Sequence, residues 1–407
     1  MSWRPDRPNR VLPGMLAVLL LLVGSFNVLA ADQAVPVETE IWLVSYGPGE
    51  IYWQRFGHNA IWVRDTQLGL DHVFNFGFFD FAQEDFLLRF LQGRMLYFSA
   101  ARPAREEFAA YINENRSIRA QHLDLSPQQK LSLVEYLLEE VQPENRDYLY
   151  DYYENNCSTR VRDALDLALD GLLQEEFEPV RAEQSWRDHT RRLTAGDFWL
   201  YLGLEAGLGS KVDQPVSRWD EMFIPEKLAE YVSAIRFTGD RQARPLVLED
   251  VMLYESSLPL PPAAPLAWWP RYLLFSLGLV ALVWLGDRYV RRGVGRKLSV
   301  AWLALSGFAG LCLLFLGFGT DHAAAGNNLN LLVLNPLWLL LLLPRWQGRM
   351  LLAGVVFFAV LAALMVLLPP RQYTLDILAA FLPLNLASAL VVSRYRSRQA
   401  GRPGVPA

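Results

Sequence analysis

The last third of the chain is almost wholly apolar, and this restricts the protein to architectures that a membrane can hold. Between Tyr272 and Val392 the apolar residues form five runs separated by short polar loops. A helix needs about 20 mostly apolar residues to cross the hydrocarbon core of a bilayer. We therefore predict five membrane-spanning helices, of which the first and third are short. The predicted spans are 272–285, 298–319, 329–343, 351–368 and 375–392.

The N-terminus has the pattern of an export signal. Three arginines precede an apolar stretch over 11–28, and the small residues Ala30 and Ala31 follow it. This order of basic, apolar and small residues is typical of a signal peptide, here over 1–31, with an uncleaved signal anchor as the alternative. In either case the residues that follow are predicted to be exported.

Charged residues in the loops indicate how the spans are oriented. The segments after the first, third and fifth predicted spans carry several arginines, whereas the loops after the second and fourth carry few positive charges. Segments rich in positive charge stay in the cytoplasm. We therefore predict a multi-pass protein of the cytoplasmic (inner) membrane, with a periplasmic N-terminal domain and a cytoplasmic tail over 395–407.

The exported region has the composition of a globular domain. Residues 32–256 mix charged and apolar positions, and the proline-rich stretch 257–270 is predicted to link them to the membrane domain over 271–394. Runs rich in β-formers over 59–63 and 72–76 predict a hairpin, and helical periodicity appears further along the chain. The predicted fold class of this domain is α+β. The net charge of −5 is unremarkable, and no basic stripe indicates a nucleic-acid partner.

The predicted exported domain contains a single cysteine, Cys157, because Cys312 falls within a predicted span. A lone thiol in an oxidising compartment forms no intramolecular disulfide, so its presence there needs another reason. Asn155 and Asn156 are good N-cap residues, which places Cys157 in the first turn of a predicted helix. The N–H groups and the dipole at that end are expected to lower the pKa of the thiol. These features favour a nucleophile, with a buried structural thiol as the alternative.

A nucleophilic thiol needs a base, and His58, at the start of a predicted strand, is the favoured candidate. Gly57 before it permits close approach of another backbone or a substrate. The next predicted strand supplies His72 and Asn75, either of which can orient the imidazole. Side chains alternate along a strand, so these two lie on opposite faces, and the choice between them stays open with Asn75 slightly preferred.

Longer strings of the sequence resemble the Lnb N-terminal periplasmic domain family. They are Tyr46-Gly47-Pro48-Gly49-Glu50-Ile51-Tyr52, Arg55-Phe56-Gly57-His58-Asn59-Ala60, Phe74-Asn75-Phe76-Gly77 and Asn156-Cys157-Ser158-Thr159-Arg160. The resemblance covers most of residues 38–240, and the membrane half of the chain follows it. It implies a circularly permuted papain-like fold, in which the histidine precedes the cysteine, joined to an all-α membrane domain of five helices.

The resemblance also implies an activity, the N-acylation of lipoproteins. An acyl chain would pass from a phospholipid to Cys157 as a thioester, and then to the N-terminal amine of a lipoprotein. His58 would act as base and then as acid, with Asn75 or His72 as its orienting residue. No metal and no organic cofactor are implied. Because related permuted papain-like proteins are hydrolases, a membrane-tethered thiol amidase or peptidase is an alternative, and a non-enzymatic envelope assembly module is a third possibility.

Five further residues are candidates for substrate binding. Tyr46 and Glu50 precede the predicted His58 strand and are expected to line the cleft. Arg160 follows the cysteine and can pair either with a phosphate or with an acidic residue of the same domain. His322 and Asn330 lie in the outward membrane loop and the span after it, where polar groups are often functional. Solvation and interhelical hydrogen bonds are the alternative for these two.

Overall fold

The structure is a computed structural model that describes residues 39–67, 69–237, 244–289, 293–343, 349–365 and 372–400. The predicted signal peptide over 1–31 and the last seven residues of the predicted tail lie outside the described residues. So do parts of the loops whose charges gave the predicted orientation.

A seven-stranded antiparallel sheet forms the centre of the described N-terminal domain, in the strand order β6-β4-β3-β2-β1-β5-β9, and a two-stranded ribbon, β7 and β8, lies apart from it. The strands are β1 Glu40–Tyr46, β2 His58–Asp65, β3 Leu70–Phe78, β4 Leu96–Pro103, β5 Ile118–Leu123, β6 Asp147–Leu149, β7 Arg236–Phe237, β8 Arg244–Pro245 and β9 Val247–Tyr254. The domain therefore mixes strands and helices, as the sequence predicts.

The predicted hairpin is present as β2 and β3, with Ala60 opposite Asn75 and Ile61 opposite Phe74. Because side chains alternate along each strand, the hairpin contributes to two separate cores. Ile61 and Phe74 pack in the larger core, while Ala60 and Val73 pack in a smaller one on the other face. Asn75 is two residues from Val73, so its side chain lies on the same face of the sheet as the smaller core.

Nine helices complete the described N-terminal domain. They are α1 Phe86–Gln92, α2 Ala104–Asn113, α3 Pro127–Glu140, α4 Cys157–Ala168, α5 Leu172–Phe177, α6 Trp186–Thr194, α7 Phe198–Gly207, α8 Arg218–Glu221 and α9 Pro225–Ala234. The start of α3 has the cap that its sequence predicts, since the Ser126 side chain accepts the N–H of Gln129 and proline follows the cap. Helix α4 begins at Cys157, where the sequence placed it.

Three helices among the described residues are long and apolar enough to cross a membrane: α10 Trp269–Arg288, α11 Val294–Phe318 and the Leu375–Arg394 part of α14 Leu375–Ala400. The third predicted span is not one continuous helix. It is divided into a 3-10 turn, Leu329–Leu332, and α12 Leu337–Leu340. The division falls at Asn335, whose Oδ1 accepts the N–H of Leu337 at 2.9 Å, and at Pro336, which has no N–H to donate. The fourth predicted span, 351–368, corresponds to α13 Arg349–Met365, and its last three residues lie outside the described residues.

Helix α7 joins the two halves of the structure. The Tyr201 hydroxyl donates to Asp376 at the start of α14 over 2.6 Å. At the other end of α7, Nδ2 of Asn330 donates to the carbonyl of Glu205 at 2.7 Å. The N–H of Tyr373 donates to Asp213, just beyond α7, at 2.9 Å. The N-terminal domain is thus fixed to the membrane helices by buried polar contacts as well as by the covalent linker.

Candidate active site

His58 is the first residue of β2, and its imidazole bonds to a side chain of the neighbouring strand. Nε2 of His58 lies 2.9 Å from Oδ1 of Asn75. Nδ2 of Asn75 donates to the carbonyl of Val73 at 3.2 Å, which fixes the amide so that Oδ1 points at the histidine. Since an amide oxygen only accepts, Nε2 must carry the proton, and Nδ1 keeps the lone pair. Nδ1 is therefore the ring nitrogen that can accept a proton as a base.

The backbone before His58 depends on a glycine. Gly57 has a φ of +81°, and a Cβ at that position would lie 2.8 Å from the carbonyl oxygen of Tyr46. The Tyr46 ring is buried and stacks on His58 with ring centroids 5.8 Å apart, and on Tyr111 at 3.6 Å. Tyr46, predicted to line the cleft, therefore forms one wall of the histidine site.

Cys157 occupies the first position of α4, directly after its cap. Oδ1 of Asn156 accepts the N–H groups of Ser158 and Thr159, each at 2.9 Å. The N–H of Cys157 is not one of the two groups that bond to the Asn156 side chain. An N–H at such a position, beside the positive end of the helix dipole, can bind a negatively charged oxygen.

Contacts around Asn59 bring the start of α4 against the start of β2. The backbone N–H of Asn59, the residue after His58, lies close enough to the Cys157 sulfur to lower the pKa of the thiol. Oγ of Ser158 donates to Oδ1 of Asn59 at 2.7 Å. On the adjacent strand, Gly77 has a φ of +94°, which favours glycine, and a Cβ built there would be in van der Waals contact with the Cβ of Cys157 at 3.4 Å. The residues directly after the predicted base and the predicted nucleophile are thus in contact, although 99 positions separate them in the sequence.

Burial controls the protonation of both groups. It lowers the pKa of His58 to about 4, against the hydrogen bond that His58 donates to Asn75, which raises it, and with a smaller lowering by Arg116. Burial also raises the pKa of the Cys157 thiol, more than the N–H donors of Asn59 and Ser158 lower it. The sequence-based expectation of a lowered cysteine pKa is therefore wrong, because desolvation of the sulfur outweighs the helix end. At neutral pH the site holds a thiol beside a neutral imidazole.

Arg116 is a part of the site that sequence reasoning missed. Its side chain is buried, donates through Nε to the carbonyl of Gly47 at 2.9 Å, and lies over the Tyr111 ring at 4.5 Å. Its charge lowers the pKa values of both His58 and Cys157. No local pattern marks this arginine, because it reaches the site only through the pairing of β5 with β1.

The other three predicted residues of the N-terminal domain are not part of the His58–Asn75 hydrogen bond. His72 is opposite Val63, three positions from Asn75 and on the other face of β3, so the structure brings Asn75 rather than His72 to the histidine. Glu50 is exposed in the loop before β2. Arg160 lies 3.5 Å from Glu140, in the structural ion pair that was its alternative interpretation.

The two predicted residues of the membrane domain are in different places. Nε2 of His322 lies 3.0 Å from the carbonyl oxygen of Phe90 in α1, and its ring stacks with that of Tyr152 at 6.5 Å. Asn330 is fully buried under α7, where it bonds to helix-end carbonyls, as in the alternative interpretation. Within the described ranges, no group of three or more His, Cys, Asp or Glu side chains is arranged to hold a metal ion.

Comparison with protein-family models gives two matches. The model of the Lnb N-terminal periplasmic domain matches residues 31–192, and that of the Lnb transmembrane domain matches residues 265–398. The chain belongs to the Lnb family. This confirms the family resemblance, and it identifies a membrane protein with a periplasmic N-terminal domain. His58, Asn75, Arg116 and Cys157 all fall within the part that matches the Lnb periplasmic domain. Comparison with curated proteins and with solved structures gave no match.

Proposed function

We propose that this Lnb-family protein is a cysteine-dependent lipoprotein N-acyltransferase. It would move an acyl chain from a phospholipid to the N-terminal amine of a lipoprotein through a thioester on Cys157. The observation that carries the proposal is the oriented His58–Asn75 pair, joined over 2.9 Å, beside a helix that begins at the single thiol of the described periplasmic part. A nucleophile, a base and a residue that orients the base are the parts that thiol acyl transfer needs.

The proposal includes a permuted papain-like arrangement. The base lies on β2, the orienting amide on β3, and the nucleophile follows later, at the start of α4. It also retains the five membrane spans and the cytoplasmic C-terminus that the sequence predicts. The two long helices α10 and α11, the long α14 and the family match to the Lnb transmembrane domain support the membrane part.

In the first half-reaction, the Cys157 sulfur attacks the ester carbonyl carbon of the phospholipid while Nδ1 of His58 takes the thiol proton. The carbonyl oxygen becomes an oxyanion, and the Cys157 N–H is positioned to stabilise it. As the tetrahedral intermediate collapses, the carbon–oxygen bond of the ester breaks. His58 returns the proton to the departing lysophospholipid oxygen. The products are a thioester on Cys157 and a lysophospholipid.

In the second half-reaction, the neutral N-terminal amine of the lipoprotein attacks the thioester carbonyl. His58 accepts one proton from the attacking nitrogen, and the carbon–sulfur bond breaks. The sulfur leaves and takes the proton from His58, which regenerates the thiol. The imidazole is neutral at physiological pH, so it is free to accept the proton that each step removes.

The position of the site favours a lipid donor over a soluble one. The carbonyl of Phe90 in α1 bonds to His322, which lies in the loop after the spanning helix α11. A catalytic domain held against the ends of spanning helices is close to the phospholipid headgroups. A thiol hydrolase with water as acceptor would use the same residues, so the acceptor is what the experiment must establish.

The test uses cells that lack this protein and any other lipoprotein N-acyltransferase. Wild type, Cys157→Ala and Cys312→Ser are expressed at matched levels, and lipoprotein N-termini are measured by mass spectrometry. We expect an added amide-linked acyl group with wild type and with Cys312→Ser, and none with Cys157→Ala. Cys312 is the matched control because it is the other cysteine of the chain and lies in the membrane helix α11.

Two outcomes would contradict the proposal. Acylation by Cys157→Ala at the wild-type level would exclude Cys157 as the nucleophile. If the wild-type protein adds no acyl group, yet a purified full-length sample hydrolyses phospholipid or peptide in a Cys157-dependent way, the hydrolase alternative replaces acyl transfer.

A further inference from the structure

Helix α1 is unusual for a helix of a globular domain. Five of its seven residues are apolar, and none is buried. Leu87 is 68% exposed, and two neighbouring aromatic side chains, Phe81 and Trp53, are 63% and 54% exposed. The Phe81 ring lies 5.1 Å from that of Phe86 and 6.0 Å from that of Trp53. We name α1 with Trp53 and Phe81 the apolar platform. Contiguous apolar surface of this kind marks an interaction site on a soluble domain.

The platform is attached to the membrane domain at the outer end of a spanning helix. The N–H of Asp321 donates to the carbonyl of Gln92 at 2.8 Å, and its carboxylate pairs with Arg94 at 2.5 Å. Asp321 and His322 follow α11, which ends at Phe318, after two intervening residues. A Cβ at Gly93 would lie 2.7 Å from the backbone nitrogen of His322, so the two backbones are in close contact. The platform is therefore held at the level where the spans leave the bilayer.

A row of aromatic rings leads from the platform to the nucleophile. Phe79 lies 5.0 Å from Phe81 and 5.2 Å from Tyr97, measured between ring centroids. Tyr97 stacks on Tyr150 at 4.1 Å. The Tyr150 ring lies 3.8 Å from the position that a Cβ on Gly77 would take, and the Cβ of Cys157 lies 3.4 Å from that position. We name Phe79, Tyr97 and Tyr150 the aromatic row.

We infer that the apolar platform inserts into the outer leaflet of the membrane and that the aromatic row binds one acyl chain of the donor phospholipid. The ester carbonyl of that chain would then lie at Cys157. The second part rests on the proposed function, whereas the first does not. Tryptophan and phenylalanine are suited to this position, because such rings favour the boundary between headgroups and acyl chains. Attachment of the platform beside the end of α11 makes the membrane the occupant, rather than a soluble protein.

The insertion is measured on the full chain with Cys157→Ser and Cys312→Ser, so that an added cysteine is the only thiol. Leu87→Cys carries a fluorophore, and the protein is reconstituted in phosphatidylethanolamine and phosphatidylglycerol vesicles with or without brominated acyl chains. Leu138→Cys is the matched control, an exposed leucine on α3. We expect bromine to quench the label at position 87 at least twofold more than the label at 138. Equal, weak quenching at both positions would overturn the inference, as would protection of position 87 only after a soluble protein is added.

The role in donor delivery is measured with a double variant, Leu87→Glu with Leu88→Glu, and with Leu138→Glu as its control. Mass spectrometry follows the thioester on Cys157, formed either from vesicle phospholipid or from the water-soluble ester p-nitrophenyl acetate. We expect the double variant to lose at least tenfold in rate with phospholipid and less than twofold with the soluble ester. Unchanged rates with phospholipid, or equal losses with both donors, would overturn the delivery role.

The two measurements separate this inference from the proposed function. If the wild-type protein forms no thioester from either donor, the proposed function fails, and the role of the aromatic row fails with it. Quenching at position 87 would still support membrane insertion of the platform in that case. A thioester formed by wild type and by the double variant at the same rate supports the proposed function and contradicts delivery by the platform.

Discussion

Nε2 of His58 donates to Oδ1 of Asn75 over 2.9 Å, and this contact determines which nitrogen of the ring can act as a base. Without the amide oxygen, the imidazole would be free to exchange tautomers and to rotate. The lone pair would then be on Nδ1 for only part of the time. Asn75 therefore acts on the reaction through the histidine and needs no contact with the substrate.

We expect Asn75→Ala to lower kcat while KM for the phospholipid changes little. The loss is expected to reach about 10²-fold, which is part of the roughly 10²–10⁴ that a positioned acid–base group contributes. The measurement is N-acylation of a lipidated peptide by the purified full chain in lipid. His72→Ala, on the same strand but the opposite face, is the control and is expected to keep its rate within about twofold. If His72→Ala loses activity and Asn75→Ala does not, the orienting roles are reversed.

The alkylation of Cys157 by iodoacetamide is expected to rise steeply with pH across the neutral range. The pKa of the thiol is raised by burial, so the reactive thiolate is scarce at neutral pH and increases as pH rises. The pKa of His58 is lowered to about 4, so the imidazole is neutral above that value and protonated only as pH falls through it. A full chain with Cys312→Ser gives an unambiguous readout. Rapid alkylation that is independent of pH between about 5 and 8 would instead indicate a thiolate–imidazolium pair.

Arg116→Gln is expected to move that alkylation profile to higher pH. The Arg116 charge lowers the pKa of Cys157, so its removal raises that pKa further. Arg119→Gln is the matched control, since Arg119 is three residues away and pairs with Asp250 on the domain surface. A profile that is the same in Arg116→Gln and in the parent would show that this cation does not act on the thiol.

Asn156→Ala is expected to reduce both stability and activity. The substitution removes the acceptor for two N–H groups at the start of α4 and the donor to the Phe223 carbonyl at 3.0 Å. Loss of a cap costs about 1 kcal/mol of unfolding free energy, within a range of roughly 0.5–2 kcal/mol. Ser126→Ala removes the comparable cap of α3 and should cost about the same stability with unchanged kcat. Urea unfolding followed by tryptophan fluorescence measures the loss of stability, and the peptide assay measures the loss of kcat. Equal kcat losses in both variants would show a purely structural effect.

Asn330→Ala is expected to lower the unfolding free energy with little change in KM. Its Nδ2 is buried and bonds to the carbonyls of Glu205 and Ala206, and leaving such acceptors unpaired costs about 1–3 kcal/mol. Thermal unfolding of the full chain measures the change in stability, and substrate titration measures KM. A raised KM with unchanged unfolding would favour the substrate-binding role that the sequence suggests.

The parts of the site that depend on local sequence could be predicted. The cap at Asn156 and the start of α4 follow from short-range hydrogen-bonding chemistry, and the β2–β3 hairpin follows from strand patterning. The choice between His72 and Asn75 could not be made in this way, because it depends on the register that sets Ala60 opposite Asn75. Arg116 was missed for the same reason, since only the pairing of β5 with β1 brings it to the histidine.

The sequence also could not predict how deeply the Cys157 sulfur is buried. The dipole of α4 is a local property and predicted a lowered thiol pKa, but the side chains that remove water from the sulfur come from distant segments. In the membrane domain, hydropathy predicted a third span of uniform helix. The break at Asn335 and Pro336 shows that an apolar segment of this length need not form one continuous helix.

The contacts of α7 with the membrane helices have a consequence for how the protein can be studied. Tyr201 depends on Asp376 for its hydrogen bond, and the carbonyl groups at the end of α7 depend on Asn330. A fragment that stops before Trp269 would lose these partners and leave the apolar side chains of α7 in water. The periplasmic part is therefore not expected to be an autonomous folding unit. Inactivity of such a fragment would report misfolding, and it would not distinguish a lipid-dependent enzyme from a hydrolase.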